Sequence, residues 1–381
     1  MNSTHMRRVA MDEVLLDEVL GAWQAQWPDV AVMALLPERE VVRLPVLQGI
    51  CQRRGISLFG GVFPQLIDGD QLVGDGVWLL AQERGAAYTL VPDLPDDPAD
   101  AALRIANALS AVSVPDEGQG APTLYLMFDS DLQHIGSILE GLYQRVADRF
   151  RYAGVCTGSE TFEPIPCLFD RDRLISRGVL CAVLPPASRT ALAHCYPVPE
   201  HVLSATATQG NRIVSIDWQP AFEVYSALVR KHYGVELTKE NFYTYAVHFP
   251  IGLLRANGDV LVRIPVLLNE DGSLTLKGEV PEHAMLVVLR GPDALGTACV
   301  DALDAALGPH AKGKNACLFY CAGRRMHMGE AVHGELAAVQ ARLHAPVMGG
   351  ALSLGEVGNP DVWGYPMFHN AALVCTTWNG R

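Results

Sequence analysis

The sequence predicts an α/β protein of two interlocked domains, built from repeated β-α-β units that antiparallel strands extend, with helices layered on mixed sheets. Three observations lead there. One order of segments is written three times along the 381 residues. The middle segment of each copy carries a helical period. Between the second and third copies the chain changes to short alternating runs separated by turn signals. Apolar residues make up 49% of the chain, enough for a large core, and 35 Gly and 24 Pro favour many turns over long helices.

The first unit runs "VAVMALLPE" (30–38), "VVRLPVLQGICQRRG" (41–55) and "ISLFGGVFPQ" (56–65). The second runs "TLYLMFDSD" (123–131), "HIGSILEGLYQRVADRF" (134–150) and "YAGVCTGSE" (152–160). The third runs "ACLFYCAGR" (316–324), "MGEAVHGELAAVQARLHA" (328–345) and "VMGGALSLGE" (347–356). Flanking runs of this length and apolarity suit strands buried on both faces. In the middle segments Ile138, Leu142, Tyr143 and Val146 recur at three- and four-residue steps, as do Val332, Leu336, Val339 and Leu343. Strand, helix, strand at this spacing is a right-handed parallel crossover. A further strand follows each: "DGVWLLAQ" (75–82), "RGVLCAVLP" (177–185) and "NAALVCTTW" (370–378).

The stretch "VPDLPDDPAD" (91–100) reads as a surface turn into a helix. After "NRIVSIDW" (211–218), "QPAFEVYSALVRKHYG" (219–234) has Pro at its start and Gly at its end, the signature of a helix. The segments 241–254, 259–280 and 284–292 read as an antiparallel meander broken at "ANGD" and "NEDGS". The cut falls near 210–220, giving domains 22–218 and 219–378.

A formal charge of −13 with dispersed Lys and Arg argues against nucleic acid and against an anionic membrane surface. No apolar run is long enough for a membrane helix, and the N-terminus lacks a secretory layout. Nine Cys without C-x-x-C spacing, most of them in apolar runs, suit a reducing compartment. A cytoplasmic protein is the expectation.

Strand ends at crossovers are where α/β sheets bind ligands, which directs attention to "CAGRR". There Gly323 permits a tight turn after Cys321, and Arg324 or Arg325 either grips a carboxylate or caps carbonyls in a structural turn. Glu356, His369 and Asn370 face the same region as ligand contacts or as groups that satisfy local backbone. In "NFYTYAVHFP" strand alternation puts Tyr243, Tyr245, Val247 and Phe249 on one face, and Phe242, Thr244, Ala246 and His248 on the other. His248 then sits among small neighbours, either as a satisfied half-buried side chain or as a ligand to a flat group. Cys156, Ser159 and Cys321 end strands, yet no G-x-S-x-G, phosphate-loop or H-E-x-x-H pattern accompanies them, so neither catalysis nor a zinc site is expected.

"CAGR" (321–324), "GGALSLGE" (349–356), "HNAALV" (369–374), "GNRIVSIDWQPAFEVY" (210–225) and "DGSLTLKGEVPEHAMLVV" (271–288), in this order and spacing, resemble the FIST family, the F-box and intracellular signal transduction proteins. The resemblance spans nearly the whole chain as an N-terminal and a C-terminal region. Its first unit departs from the family pattern, because Phe63 and Pro64 follow the Gly pair. The resemblance implies a sensory module without its own output domain, which binds a small-molecule or gas ligand. In its most concrete form it implies a haem-based nitric oxide sensor, with His248 as the axial metal ligand, that acts on a histidine kinase or a cyclic-dinucleotide enzyme. The alternatives are a haem-free sensor of an amino acid or carboxylate, and an interaction scaffold without ligand.

Overall fold

A computed structural model describes residues 5–112, 120–161, 163–291, 297–359 and 365–378. The repeat holds and is longer than the β-α-β core read from sequence. Its first copy is β1 (Met6–Val9), α1 (Glu13–Gln26), β2 (Ala31–Pro37), α2 (Leu44–Arg54), β3 (Ser57–Phe63), a hairpin of β4 (Leu66–Asp68) and β5 (Gln71–Val73), and β6 (Val77–Gln82). The second is β7 (Ala87–Val91), α3 (Pro98–Ser110), β8 (Thr123–Asp129), α4 (Ile135–Val146), β9 (Arg151–Thr157), a hairpin of β10 (Leu168–Asp170) and β11 (Leu174–Ile175), and β12 (Val179–Leu184).

The third copy begins with β13 (Thr190–Ala193) and is then interrupted. The insertion contains β14 (Leu203–Gln209), β15 (Arg212–Ile216), β16 (Gln219–Pro220), α5 (Ala221–Tyr233) and α6 (Phe242–Ala246). It continues through β17 (Ile251–Leu254), β18 (Val260–Arg263), β19 (Pro265–Leu268), β20 (Leu274–Leu276) and β21 (Met285–Val288). The third copy then resumes with α7 (Ala298–Leu307), β22 (Asn315–Cys321), α8 (Ala322–Met328), α9 (Ala331–Leu343) and β23 (Met348–Ser353). It closes with the hairpin of β24 (Glu356–Gly358) and β25 (Met367–His369), and β26 (Leu373–Trp378).

Local chemistry starts and stops these elements. Asp12 and Asp97 cap α1 and α3 by accepting from the first free N–H groups, and Pro98 occupies the position where a missing N–H costs nothing. Gly234 ends α5 with a φ of 68°. Strands β2, β8 and the run Ala316–Cys321 of β22 are buried on both faces, so their apolar side chains do not alternate.

The three six-stranded sheets share one order. In each, the return strand pairs antiparallel with the first crossover strand, and the two crossover strands pair in parallel. The hairpin at the far edge comes from another copy. β10–β11 of the second copy completes the first sheet, β24–β25 of the third completes the second, and β4–β5 of the first completes the third. The exchange is cyclic. The helices cover the sheets in pairs, α1 with α2, α3 with α4 and α7 with α9, while Phe63, Tyr125 and Phe319 meet in the core between sheets.

Register makes Gly60, Gly154 and Gly350 equivalent, opposite Ala34, Leu126 and Leu318. A Cβ on any of the three would lie 1.9, 2.0 or 1.7 Å from the facing carbonyl oxygen, which explains one glycine per copy at this point.

Two readings of the sequence are corrected. Residues 242–246 form the helix α6, not a strand, so the two-faced alternation around His248 does not exist. Phe242 and Ala246, four apart, are the buried pair, while Tyr243 and Tyr245 are 37% and 38% exposed. Asn241 fixes the turn before the helix by accepting from Thr238 N–H and donating to the Glu236 carbonyl. "CAGR" is also not a turn: it leads into α8, and Gly323 is there because a Cβ would lie 2.3 Å from Ile264.

Gly350→Ala should cost about 3 kcal/mol or more by chemical denaturation, because backbone cannot retreat from the new methyl group. Gly334→Ala, exposed on α9 with nothing nearby, should instead stabilise by up to about 1 kcal/mol. Equal effects at the two positions would contradict the register.

Candidate functional site

The insertion lays β18–β20 and the turn that follows over the C-terminal ends of crossover strands β8 and β22, and it is fastened to both copies. Toward the second copy, Glu279 accepts from Ser137 N–H at 3.0 Å and from the Ser137 hydroxyl at 2.5 Å, at the start of α4, and meets His134 Nδ1 at 3.1 Å. Toward the third copy, Arg263 donates to the Phe368 carbonyl at 2.8 Å. Ile264 N–H donates to Asn370 Oδ1 at 3.3 Å. Burial pulls Arg263 down to about 10, so it stays charged among carbonyls at neutral pH.

Under this lid lie two cavities that share Val266 and Lys277. The larger, about 350 Å³, opens between the loop after β8 and the lid, with Asp131, Gln133, His134, Asn211, Thr275 and Lys277 supplying its polar groups. The smaller, about 40 Å³, lies against the end of β22 beside Cys321, Gly323 and Asn370. Lys277 donates to the Ser130 carbonyl at 2.6 Å. Burial lowers its pKa, and Cys156, Asp131 and Asp129 push it back up. Burial and the neighbouring Asp129 raise Asp131, against the pull of Lys277. Asp129 is consumed by the backbone: it accepts from the N–H groups of Asp131 and Arg177. One cation and one carboxylate therefore face the larger cavity with different environments, an arrangement suited to a small polar ligand.

Of the residues singled out from sequence, Cys321, Glu356, His369 and Asn370 meet in the third copy. Glu356 opens β24 and pairs in register with His369 on β25. It is wholly buried, and burial raises its carboxyl to about 7 against hydrogen bonds from the Ser353 hydroxyl, the Ala372 N–H and the Cys321 thiol. The pseudo-equivalent positions are Leu66 and Leu168. A carboxyl group thus stands where the other copies place leucine. His369 is 1% exposed, and burial and the nearby His194 hold its ring neutral against a pull from the Gly358 backbone. Asn370 donates to the His369 carbonyl as well as accepting from Ile264.

Arg324 is turned inward. Its Nε and Nη2 grip Glu335 of α9 at 3.0 and 2.6 Å, and Nη1 reaches the His194 carbonyl at 3.0 Å. Tyr320 donates to the same carboxylate at 2.5 Å. The guanidinium is 1% exposed and is spent on a buried ion pair within the third copy. Arg325 instead pairs with Glu160 at 2.5 Å. His248 follows α6, and its Nδ1 lies 2.8 Å from Nδ1 of His327 on α8. Neither cavity is lined by His248.

Sequence reasoning passed over Lys277, Asp131 and Glu335. Glu335 left a signal, because it falls on the apolar stripe of α9 between Val332 and Val339, where a carboxylate requires a partner. Lys277 and Asp131 left none, since a lysine ending a strand and an aspartate after one are ordinary surface chemistry. Among the described residues no helix is long and apolar enough to cross a membrane, and no group of three or more His, Cys, Asp or Glu could hold a metal ion.

Two family models match. The FIST N domain covers residues 12–219 and the FIST C domain covers residues 221–359. No curated protein matches the sequence.

With a folded pKa near 7 and an ordinary value of 4.5, Glu356 keeps its proton in the fold after the unfolded chain has lost it. Its stabilising contribution is complete below about pH 4.5 and declines as pH rises through the window to about 7, by at most about 1.4 kcal/mol per pH unit. Denaturation at a series of pH values should show this slope in the native chain and a flatter one in Glu356→Gln. An identical slope in both would mean that Glu356 is already ionised.

Proposed function

The chain belongs to the FIST family, whose domains are signal-transduction sensors that bind small ligands, and we propose that its ligand is a small zwitterion such as an amino acid, held in the larger cavity between Asp131 and Lys277. The observation that carries this reading is that a half-buried lysine and a carboxylate line one cavity of about 350 Å³. Lys277 takes the ligand carboxylate and Asp131 its ammonium group, each through charge-assisted hydrogen bonds. The wall on one side is the lid and on the other is the second copy. A ligand that bridges them changes how firmly the lid is held, and a separate signalling protein that reads the lid would sense it.

A haem-based nitric oxide sensor acting on a histidine kinase or a cyclic-dinucleotide enzyme is the second reading. What favours it is the His248–His327 contact: fixing one imidazole nitrogen is how proteins orient a ring whose other nitrogen ligates a metal. A bound haem would supply the gas-binding iron, and His248 would hold it. The donor fits, whereas both cavities described above open on other residues, so the zwitterion reading stands first.

A panel of the common amino acids, screened by thermal shift, tests the first reading. At least one should raise the melting temperature by mass action. Lys277→Met and Asp131→Asn should each weaken its binding about tenfold or more, which is about 1.4 kcal/mol. A shift that survives both substitutions would overturn the assignment. A Soret band on adding hemin that vanishes in His248→Ala, with no amino acid shift, would put the second reading first.

A further inference from the structure

Cys195 lies just past β13, and Cys299 lies in the first turn of α7; these two elements pack on each other. Cys299 belongs to the core of the third copy, and Cys195 packs against that core from its rim. Of the nine cysteines, eight are buried and Cys195 is partly exposed. The Cys195 thiol donates to the carbonyl of Ala298, the residue next to Cys299, at 3.4 Å, and each of the two sulfurs shifts the protonation of the other. Cys195 holds a left-handed backbone, with φ of 52°, a conformation that a side chain resists unless its surroundings impose it.

The pair is chemically unequal. The neighbouring Cys299, and behind it the Arg324 guanidinium, lower the Cys195 thiol against the effect of burial. Cys299 is pushed up by its neighbour Cys195 and by its own burial. The partly exposed Cys195 is thus the more readily ionised of the two and the buried Cys299 the less, the division of labour between an attacking and a resolving cysteine.

We propose that Cys195 and Cys299 form a peroxide-responsive dithiol whose oxidation closes a disulfide between the edge of the third sheet and α7. The Cys195 thiolate attacks one peroxide oxygen; an S–O bond forms, the O–O bond breaks, and the departing hydroxide takes up a proton to leave as water. The Cys299 sulfur then attacks the sulfenic sulfur of Cys195. The S–S bond forms, the S–O bond breaks, and hydroxide leaves with the Cys299 proton as a second water. Two thiols and one peroxide become one disulfide and two waters.

The location gives the bond a consequence. The adjacent His194 offers its carbonyl to Arg324 at 3.0 Å and its ring to the Val260 carbonyl at 3.1 Å. Val260 opens β18 of the lid. Oxidation therefore pins the segment that joins the buried ion pair to the lid.

The experiment is stoichiometric hydrogen peroxide on the full chain, followed by non-reducing digestion and mass spectrometry. The expected result is a peptide linking Cys195 to Cys299, with loss of labelling at those two thiols alone and its recovery on reduction. In Cys299→Ser the link disappears and a Cys195 sulfenic acid becomes trappable by dimedone; in Cys195→Ser, Cys299 stays reduced. Oxidation of another cysteine ahead of Cys195, or over-oxidation of Cys195 without a link in the native chain, would overturn the proposal. Should Cys299→Ser fail to fold, mapping the link in the native chain still decides.

Discussion

The cyclic exchange of hairpins is the constraint on which the other features rest. Each sheet is finished by two short strands from a different copy, so no copy completes its own sheet. An uncovered second crossover strand would present an open row of N–H and C=O groups. Three copies close the circle. Backbone bonds between neighbouring copies follow the same path, from Gly158 N–H to Val62, from Cys156 N–H to Gly355 and from Leu352 N–H to Gln65. Stability is therefore shared around the ring, and a change at one strand end bears on the next copy.

A symmetric framework makes departures from symmetry informative. Where the first two hairpins bring Leu66 and Leu168, the third brings Glu356, and the insertion lies between β13 and α7 of that same copy. Glu356, His369 and Arg324 are all buried ionisable groups, and all crowd the third copy beneath the lid. Apolar residues there would be cheaper to bury. That cost is concentrated where the insertion meets the repeat, beside cavities that contain Lys277, and a sensor needs polar groups at such a place.

Much of this was legible in the residues, and for physical reasons. Parallel strands buried on both faces and helices with one apolar stripe leave strong periodic signals, so β8–α4–β9 and β22–α9–β23 could be read directly. The short hairpins could not, because three-residue strands such as β4 and β24 carry no period and their partners lie in another copy. His248 was misplaced because aromatic alternation in "NFYTYAVHF" imitates a strand, whereas the Phe242–Ala246 spacing of four decides for helix. Cys321, Glu356, His369 and Asn370 stand near one another because Cys321 ends β22, Glu356 opens β24, His369 ends β25 and Asn370 follows it. That Arg324 faces inward depends on Glu335, eleven residues on, and only packing reveals it.

Hydrogen exchange with and without the amino acid that most raises the melting temperature tests the account most directly. Protection should rise in the loop 130–135 and in the lid strands around 265–278, the two walls of the larger cavity. Protection confined to the neighbourhood of His248 and His327, with these walls unchanged, would contradict it.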